Sequence, residues 1–230
     1  MKIILFDIDG TILRSDGAGR GAMEEALRAT FGTPGSGTIR YDGKTDKLIV
    51  RETMRAEGFS DETIDARMDD VLARYVAALQ TSFANGSRRA YALQGVLPLL
   101  DEIEARDDLV LGVLTGNVVV GAAAKLRAVA IAPERFRVGA YGSDHEERPM
   151  LPAIARERAS TLLGYDVPGK RLVIIGDTPA DVQCGRGVGA RAIAVATGGY
   201  SIDELEAHQP SAAFADLMDT ARVMDAIRDA

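Results

Sequence analysis

The chain has 230 residues, of which 47% are hydrophobic and 27% are charged. This length and apolar content predict one large domain, or a core with a smaller inserted domain. The formal net charge is −7 and no basic cluster stands out, which argues against nucleic acid or an anionic membrane surface as the main partner. A small anionic substrate stays compatible with this charge, because a metal ion and a few local donors can hold one.

Cysteine usage and the N-terminal residues indicate the expected compartment. The single cysteine, Cys184, excludes an intrachain disulfide, so the cytoplasm is the expected location. The first residues lack the apolar segment of a signal peptide, and no apolar run approaches the roughly 20 residues of a membrane-spanning helix. We therefore expect no membrane partner, and we expect a monomer or a weak homodimer.

Four short, continuous apolar runs predict buried parallel strands. Two weaker candidates are Val138–Tyr141 and Ala212–Phe214. Helical patterns follow most of these runs, and the alternation predicts an α/β fold with a Rossmann-like parallel sheet as its core. The four stronger runs are Ile3–Phe6, Leu109–Leu114, Leu172–Ile175 and Ala192–Ala196.

One interval, from about residue 15 to residue 89, contains helical patterns and no convincing strand. Its longest helix is predicted to begin after Ser60, a suitable N-cap that is followed by Asp61 and Glu62. Glycine-rich stretches at 16–19 and 85–87 are predicted hinges. The sequence therefore predicts an all-helical cap domain over 16–88, inserted into an α/β core formed by 1–15 and 89–230.

Two pairs of aspartates follow predicted strands that lie far apart in the sequence. Asp7 and Asp9 follow the first strand, and Asp177 and Asp181 follow the run that ends at Ile175. Ligands of open parallel sheets bind beyond the carboxyl ends of the strands. A buried carboxylate there needs a cation, a partner or a proton. The two pairs therefore predict a shared cation site of oxygen ligands, which are the ligands that Mg²⁺ prefers.

Polar residues also follow two other predicted strands. Thr115, Gly116 and Asn117 follow the second strand, and Arg148 follows the weaker run at 138–141. A hydroxyl, free backbone N–H groups and a guanidinium can hold phosphate oxygens. One carboxylate can then attack phosphorus, while a second carboxylic acid protonates the leaving oxygen and later activates water. This set of groups favours phosphoryl transfer.

Three segments resemble motifs of a known family. Residues 7–11 (Asp-Ile-Asp-Gly-Thr), 114–117 (Leu-Thr-Gly-Asn) and 176–181 (Gly-Asp-Thr-Pro-Ala-Asp) resemble motifs one, two and four of the haloacid dehalogenase-like (HAD) hydrolase superfamily. They occur in the family's order and span essentially the whole chain. The helical insertion resembles the C1 cap of the phosphoglycolate phosphatase-like branch.

The resemblance implies a role for each matching residue. Asp7 is the implied nucleophile and Asp9 the implied general acid and base. Mg²⁺ is the implied cofactor, bound by Asp7, by the backbone carbonyl of Asp9 and by Asp177, with Asp181 in support. The implied phosphate-binding residues are Thr115, Gly116 and Asn117.

The third motif departs from the family pattern, which most often has a lysine, commonly before proline. The best match is Arg148, which precedes Pro149. Arginine keeps the positive charge, although its rigid fork and longer reach differ from an ammonium group. Lys125, on the predicted helix after motif two, is the alternative.

The implied activity is that of a Mg²⁺-dependent phosphatase, which hydrolyses a small phosphorylated metabolite through an aspartyl-phosphate on Asp7. Three alternatives stay open. A phosphomutase would use the same site and return the phosphoryl group to a bound sugar. A 2-haloacid dehalogenase has no need for Asp9, and a non-catalytic binding module would usually have lost one of the acids.

Other short motifs do not compete with this interpretation. Residues 43–45 (Gly-Lys-Thr) imitate the end of a P-loop, but the spacing back to Gly37 is one residue too long and no strand precedes them. Residues 7–12 cannot begin an EF-hand loop, because the sixth position is Ile12 and not glycine.

Several charged residues of the predicted cap are candidates for contact with the leaving group of a substrate. Charged side chains are seldom buried, so a surface position is the favoured interpretation for each of them. These residues are Arg20, Lys44, Asp46 and Arg51.

Overall fold

The computed structural model describes all residues from 1 to 230. Six parallel strands form one sheet in the order β5-β4-β1-β6-β7-β8. All six predicted strands are present, which confirms the parallel α/β core. The strands are β1 (Lys2–Phe6), β4 (Leu109–Thr115), β5 (Val138–Tyr141), β6 (Leu172–Gly176), β7 (Arg191–Val195) and β8 (Ala212–Phe214).

A second, two-stranded sheet lies where the chain leaves and re-enters the core. It pairs β2 (Leu13–Arg14) with β3 (Tyr91–Ala92) in antiparallel orientation. The sequence did not predict these strands, because two residues are too few to show an alternating pattern. Their pairing brings the two ends of the helical insertion together.

Three helices make up the insertion, namely α1 (Ala18–Phe31), α2 (Asp46–Ala56) and α3 (Asp61–Ala84). They pack around an apolar cluster that also includes Val118 and is separate from the clusters of the sheet. The side chain of Ser60 accepts a hydrogen bond from the N–H of Thr63, which confirms the predicted N-cap of α3. We call Ala18–Ala84 the cap; the predicted domain boundaries at 15/16 and 88/89 stay a prediction.

Successive residues of β1 face opposite sides of the sheet. Ile4 and Phe6 pack with the helices of one face, whereas Ile3 and Leu5 pack with those of the other, as alternation along a strand requires. Cys184 is buried in the second cluster. The helices of the first face are α4 (Val96–Glu104), α5 (Val119–Ala128) and α9 (Thr220–Asp229). The helices of the second face include α6 (Leu151–Leu163) and α7 (Pro179–Cys184).

The remaining helix, α8 (Ile202–Glu206), covers the β7–β8 edge of the sheet. None of the helices combines the length and the apolar character that crossing a bilayer demands.

Candidate active site

The site lies at the carboxyl ends of the three central strands. β1 pairs with β4 on one side and with β6 on the other, all in parallel register. Asp7 directly follows β1, Thr115 ends β4, and Asp177 directly follows β6. Neighbouring parallel strands therefore place these three residues side by side, as the sequence predicted.

Three buried carboxylates form a compact cluster. Oxygens of Asp7, Asp177 and Asp181 all lie within 4.8 Å of one another. The hydroxyl of Thr11 donates to Asp177 Oδ1 at 2.8 Å. Asp181 Oδ2 accepts from both the N–H and the hydroxyl of Thr178, at 3.0 and 2.6 Å. The structure thus brings together the acids predicted to hold the metal ion; their role as ligands stays a prediction.

Electrostatics in this cluster favour a cation. Burial raises the pKa of Asp7 to about 7, although the positive charge of Arg148 opposes the rise. Burial, together with the negative charges of Asp181 and Asp7, raises the pKa of Asp177 well above its usual range. Buried carboxylates that repel one another are stabilised when a divalent cation joins them. An all-oxygen donor set of this kind fits Mg²⁺.

Two glycines lie so close to Asp177 that a side chain at either position would overlap its carboxylate. A Cβ atom on Gly198 would stand 1.7 Å from Asp177 Oδ2, and one on Gly10 would stand 2.3 Å from the same oxygen. Gly10 also has a φ of 84°, which glycine adopts without strain. The position of the carboxylate therefore depends on the absence of side chains at both residues.

Arg148 lies in a short 3-10 turn, Arg148–Met150, just before α6, and reaches into the acid cluster. Its Nη2 donates to Asp7 Oδ1 at 3.1 Å and forms an ion pair with Asp181. The side chain is buried, and its Nε has no hydrogen-bond partner. Arg148 thus stands beside Asp7, and its assignment to the third motif stays a prediction.

The three residues of motif two line the same site. The amide nitrogen Nδ2 of Asn117 donates to Thr115 Oγ1 and to Asp9 Oδ2, each at 2.8 Å. Gly116 approaches the cap so closely that a Cβ atom would stand 2.0 Å from the carbonyl oxygen of Lys44. Their predicted role in holding phosphate stays a prediction.

Lys125 makes a contact with Asp9 that the sequence analysis missed. Its Nζ donates to Asp9 Oδ2 and to Asn117 Oδ1, each at 2.6 Å, and its side chain is only 5% exposed. The missed signal is helical spacing, since Gly121, Ala122, Lys125 and Leu126 form the buried face of α5. A lysine on such a face needs a negative partner nearby.

A segment of the cap, residues 43–47, covers the site. The N–H of Asp46 donates to the carbonyl oxygen of Gly116 at 2.8 Å, and Asp46 Oδ2 accepts from the N–H of Val118 at 2.8 Å. Asp46 is buried, so the prediction that it is a surface charge is wrong. Its carboxylate replaces water as the acceptor for an N–H at the start of α5.

Further contacts join this part of the cap to the loop that precedes Arg148. Lys47 Nζ donates to the carbonyl oxygen of Ser143 at 2.9 Å. The hydroxyl of Thr45 donates to the carbonyl oxygen of Glu146, whose carboxylate pairs with Arg51. The cap is therefore closed on the core in this structure.

The cavity between the cap and the core has a volume of about 230 Å³. Acidic and basic groups line it from both sides, and the cap supplies Arg20, whose guanidinium lies 3.9 Å from the centre of the Tyr41 ring. Lys44 also lines the cavity, but its ammonium forms an ion pair with Glu52. The cavity is thus of a size and polarity suited to a small anionic ligand.

Comparisons with known proteins agree with this architecture. Residues 147–220 match the family model described as HAD-hydrolase-like. No curated protein matches the chain in sequence.

Among solved structures, a hydrolase from Pseudomonas syringae is similar, with a TM-score of 0.75, 23% identity and coverage of 99% of both chains. CbbY from Rhodobacter sphaeroides in complex with phosphate has a TM-score of 0.71 and 23% identity, over 95% of this chain and 96% of that chain. A predicted phosphoglycolate phosphatase from Haemophilus somnus has a TM-score of 0.69 and 16% identity, over 97% of this chain and 98% of that chain.

The fold is therefore a parallel α/β core with an inserted group of helices, as in these solved structures. The matched family segment contains Arg148, Asp177 and Asp181, and the shared fold extends over nearly the whole chain. Together they confirm the predicted resemblance to the haloacid dehalogenase-like hydrolase superfamily.

Proposed function

We propose that the chain is a Mg²⁺-dependent phosphatase that hydrolyses a small phosphorylated metabolite through an aspartyl-phosphate on Asp7. The observation that carries this proposal is the position of Asp7, which lies beside the carboxylates of Asp177 and Asp181 and contacts the guanidinium of Arg148, in a cavity that the cap helps to line. Few reactions other than phosphoryl transfer use an acidic cation site and a fixed guanidinium around one carboxylate.

The first half of the reaction places a phosphoryl group on Asp7. Its Oδ1 accepts from Arg148, which leaves Oδ2 as the oxygen to attack phosphorus. As the new O–P bond forms, the bond from phosphorus to the leaving oxygen breaks. Asp9, on the cavity side, gives its proton to that oxygen. Mg²⁺ bound at the acid cluster would neutralise charge on the phosphoryl group.

The second half returns the site to its starting state. Asp9, now ionised, takes a proton from water, whose oxygen attacks phosphorus and breaks the bond to Asp7. Thr115, Gly116 and Asn117 are proposed to orient the phosphoryl oxygens. The products are the alcohol and inorganic phosphate.

The size of the cavity supports a small substrate, at about 230 Å³. CbbY from Rhodobacter sphaeroides has been solved with phosphate and, as a variant, with xylulose-(1,5)bisphosphate. A sugar phosphate or a compound of similar size is therefore the first class of substrate to test.

The proposal is tested by phosphate release from 4-nitrophenyl phosphate, with and without EDTA. We expect Mg²⁺-dependent release by the wild-type chain and a loss of about 10³-fold or more in Asp7→Asn, because the amide cannot form the covalent intermediate. Asp166→Asn, at an exposed position, is the matched control and should retain full activity. Release that survives both EDTA and Asp7→Asn contradicts the proposal, and so does interconversion of sugar phosphates without release of phosphate.

A further inference from the structure

We propose that Lys125 is a positioning residue that fixes the orientation of the Asp9 carboxylate. The inference deepens the proposed function and rests on it in one respect, namely that Asp9 carries the proton to the leaving oxygen. No part of it depends on which phosphorylated compound is the substrate.

A closed ring of three hydrogen bonds holds Asp9. Lys125 Nζ donates to Asp9 Oδ2 at 2.6 Å and to Asn117 Oδ1 at 2.6 Å, and Asn117 Nδ2 donates to Asp9 Oδ2 at 2.8 Å. Each member of the ring thus contacts both of the others. A carboxylate held by two donors at once has little freedom to rotate about its side-chain bonds.

Both donors contact the same oxygen of Asp9. Oδ2 accepts from Lys125 and from Asn117, whereas Oδ1 accepts no hydrogen bond from the protein. The Asp9 side chain is 43% exposed and lines the cavity, although Lys125 behind it is 5% exposed. The ring therefore leaves Oδ1 as the oxygen that can carry the transferred proton.

Without Lys125, little else would hold the Asp9 side chain. Its only other side-chain partner in the structure is Asn117, which also donates to Thr115. Burying the ammonium group of Lys125 costs free energy, because the group loses its hydration. The presence of a buried lysine at this position, where an apolar residue would pack, indicates that the contact with Asp9 has a function.

The cap completes the surroundings of the ammonium group. A Cβ atom on Gly19 of α1 would stand 3.3 Å from Lys125 Nζ and 3.9 Å from the hydroxyl of Tyr75 on α3. Gly19 thus leaves room for the ammonium, and the hydroxyl of Tyr75 lies near the same point. Because the lysine side chain is only 5% exposed, little water surrounds the ammonium and its attraction for Asp9 is strengthened.

The effect of a substitution on two esters with different leaving groups shows whether it disturbs the general acid or the structure as a whole. Phenolate, a poor leaving group, needs the proton from Asp9, whereas 2,4-dinitrophenolate leaves without protonation. We would measure kcat/KM for phenyl phosphate and for 2,4-dinitrophenyl phosphate, with Mg²⁺, in the wild type, Lys125→Met, Asp9→Asn and the double variant. Lys170→Met, at an exposed lysine, is the matched control.

We expect Lys125→Met to lower kcat/KM for phenyl phosphate by about 10-fold or more and for 2,4-dinitrophenyl phosphate by less than about 3-fold. In the Asp9→Asn background, Lys125→Met should have no further effect on phenyl phosphate, because the group that it positions no longer carries a proton. Equal losses on both esters, or a full additional loss in the double variant, would overturn the inference.

A second measurement tests the pairing without using activity. Denaturant unfolding of the same four proteins gives a double-mutant cycle for Lys125 and Asp9. We expect the two substitutions to be non-additive by about 5-fold or more in the unfolding equilibrium constant. If they are additive, Lys125 does not hold Asp9 and the inference fails. If the wild type hydrolyses neither ester, the proposed function fails, and this cycle still decides whether Lys125 orients Asp9.

Discussion

At the scale of single residues, each acid of the first pair is held by its own buried cation. Arg148 contacts Asp7, and Lys125 contacts Asp9. A single guanidinium nitrogen of Arg148, Nη2, contacts both Asp7 and Asp181, whereas the ammonium of Lys125 lies beside Gly19. The two cations therefore hold different acids of the site, one on each side of the first pair.

Asp46 gives a pH-dependent prediction at the same scale. Burial raises the pKa of Asp46 to about 6, against the opposing effects of Lys125 and of the Val118 N–H. In the unfolded chain its pKa is about 3.9. Between about pH 4 and pH 6 the folded protein keeps a proton that the unfolded chain has released, so the stability contributed by this group falls as the pH rises.

We therefore expect Asp46→Asn to increase the free energy of unfolding by about 1–3 kcal/mol at pH 7 and to leave it nearly unchanged at pH 4. The asparagine side-chain oxygen can still accept from the N–H of Val118. Urea unfolding at pH 4, 5, 6 and 7 measures the difference from the wild type. Asp69→Asn, at an exposed position on α3, is the control. A difference that stays constant over this pH range would contradict the prediction.

At the scale of elements, sequence patterns predicted the strands and helices that have a clear period, and the N-cap of α3 at Ser60. The position of residues 43–47 depends on contacts with two loops of the core, the one after β4 and the one after β5, so no local pattern could predict it. For the same reason the sequence showed that Asp7 and Asp177 meet but not that Asp46 is buried. The carboxyl ends of neighbouring parallel strands lie close together because of the sheet topology. The position of residues 43–47 depends instead on tertiary contacts.

The ion pair between Arg51 and Glu146 joins α2 of the cap to the core. We expect Glu146→Gln to weaken cap closure, because the pair is partly buried and holds the two parts together. Hydrogen exchange of the Asp46 amide, which donates to Gly116, should then accelerate about 2- to 5-fold. Glu147→Gln changes the adjacent, exposed glutamate and should leave this rate unchanged. Equal exchange rates in the wild type and Glu146→Gln would show that the pair does not restrain the cap.

At the scale of the whole molecule, the proposed metal site ties together parts of the chain that are far apart in sequence. Asp7 follows the first strand, Asp177 and Asp181 follow the sixth, and Gly198 lies in the loop beyond β7. A cation that binds only when these segments are assembled stabilises the folded state by mass action. Mg²⁺ binding should therefore increase the free energy of unfolding of the whole core.

We expect saturating Mg²⁺, at about 100 times its Kd, to raise the Tm of the wild type by about 5 °C or more. Gly198→Ala should abolish this rise, because the added Cβ would stand 1.7 Å from Asp177 Oδ2 and displace the carboxylate. Gly199→Ala is the matched control, since nothing lies within 4 Å of a Cβ at that neighbouring residue. Thermal melts with Mg²⁺ and with EDTA check this; an equal rise in all three proteins would show that the ion binds elsewhere.

The double hydrogen bond of Asp46 to the backbone of motif two has a kinetic consequence. While the N–H of Asp46 contacts Gly116 and its carboxylate contacts Val118, residues 43, 44 and 46 form part of the cavity wall. The cap can move away from the cavity only after both bonds have broken, so we expect these bonds to slow the opening of the cap. Asp46 would then influence the rate of turnover without taking part in the chemistry.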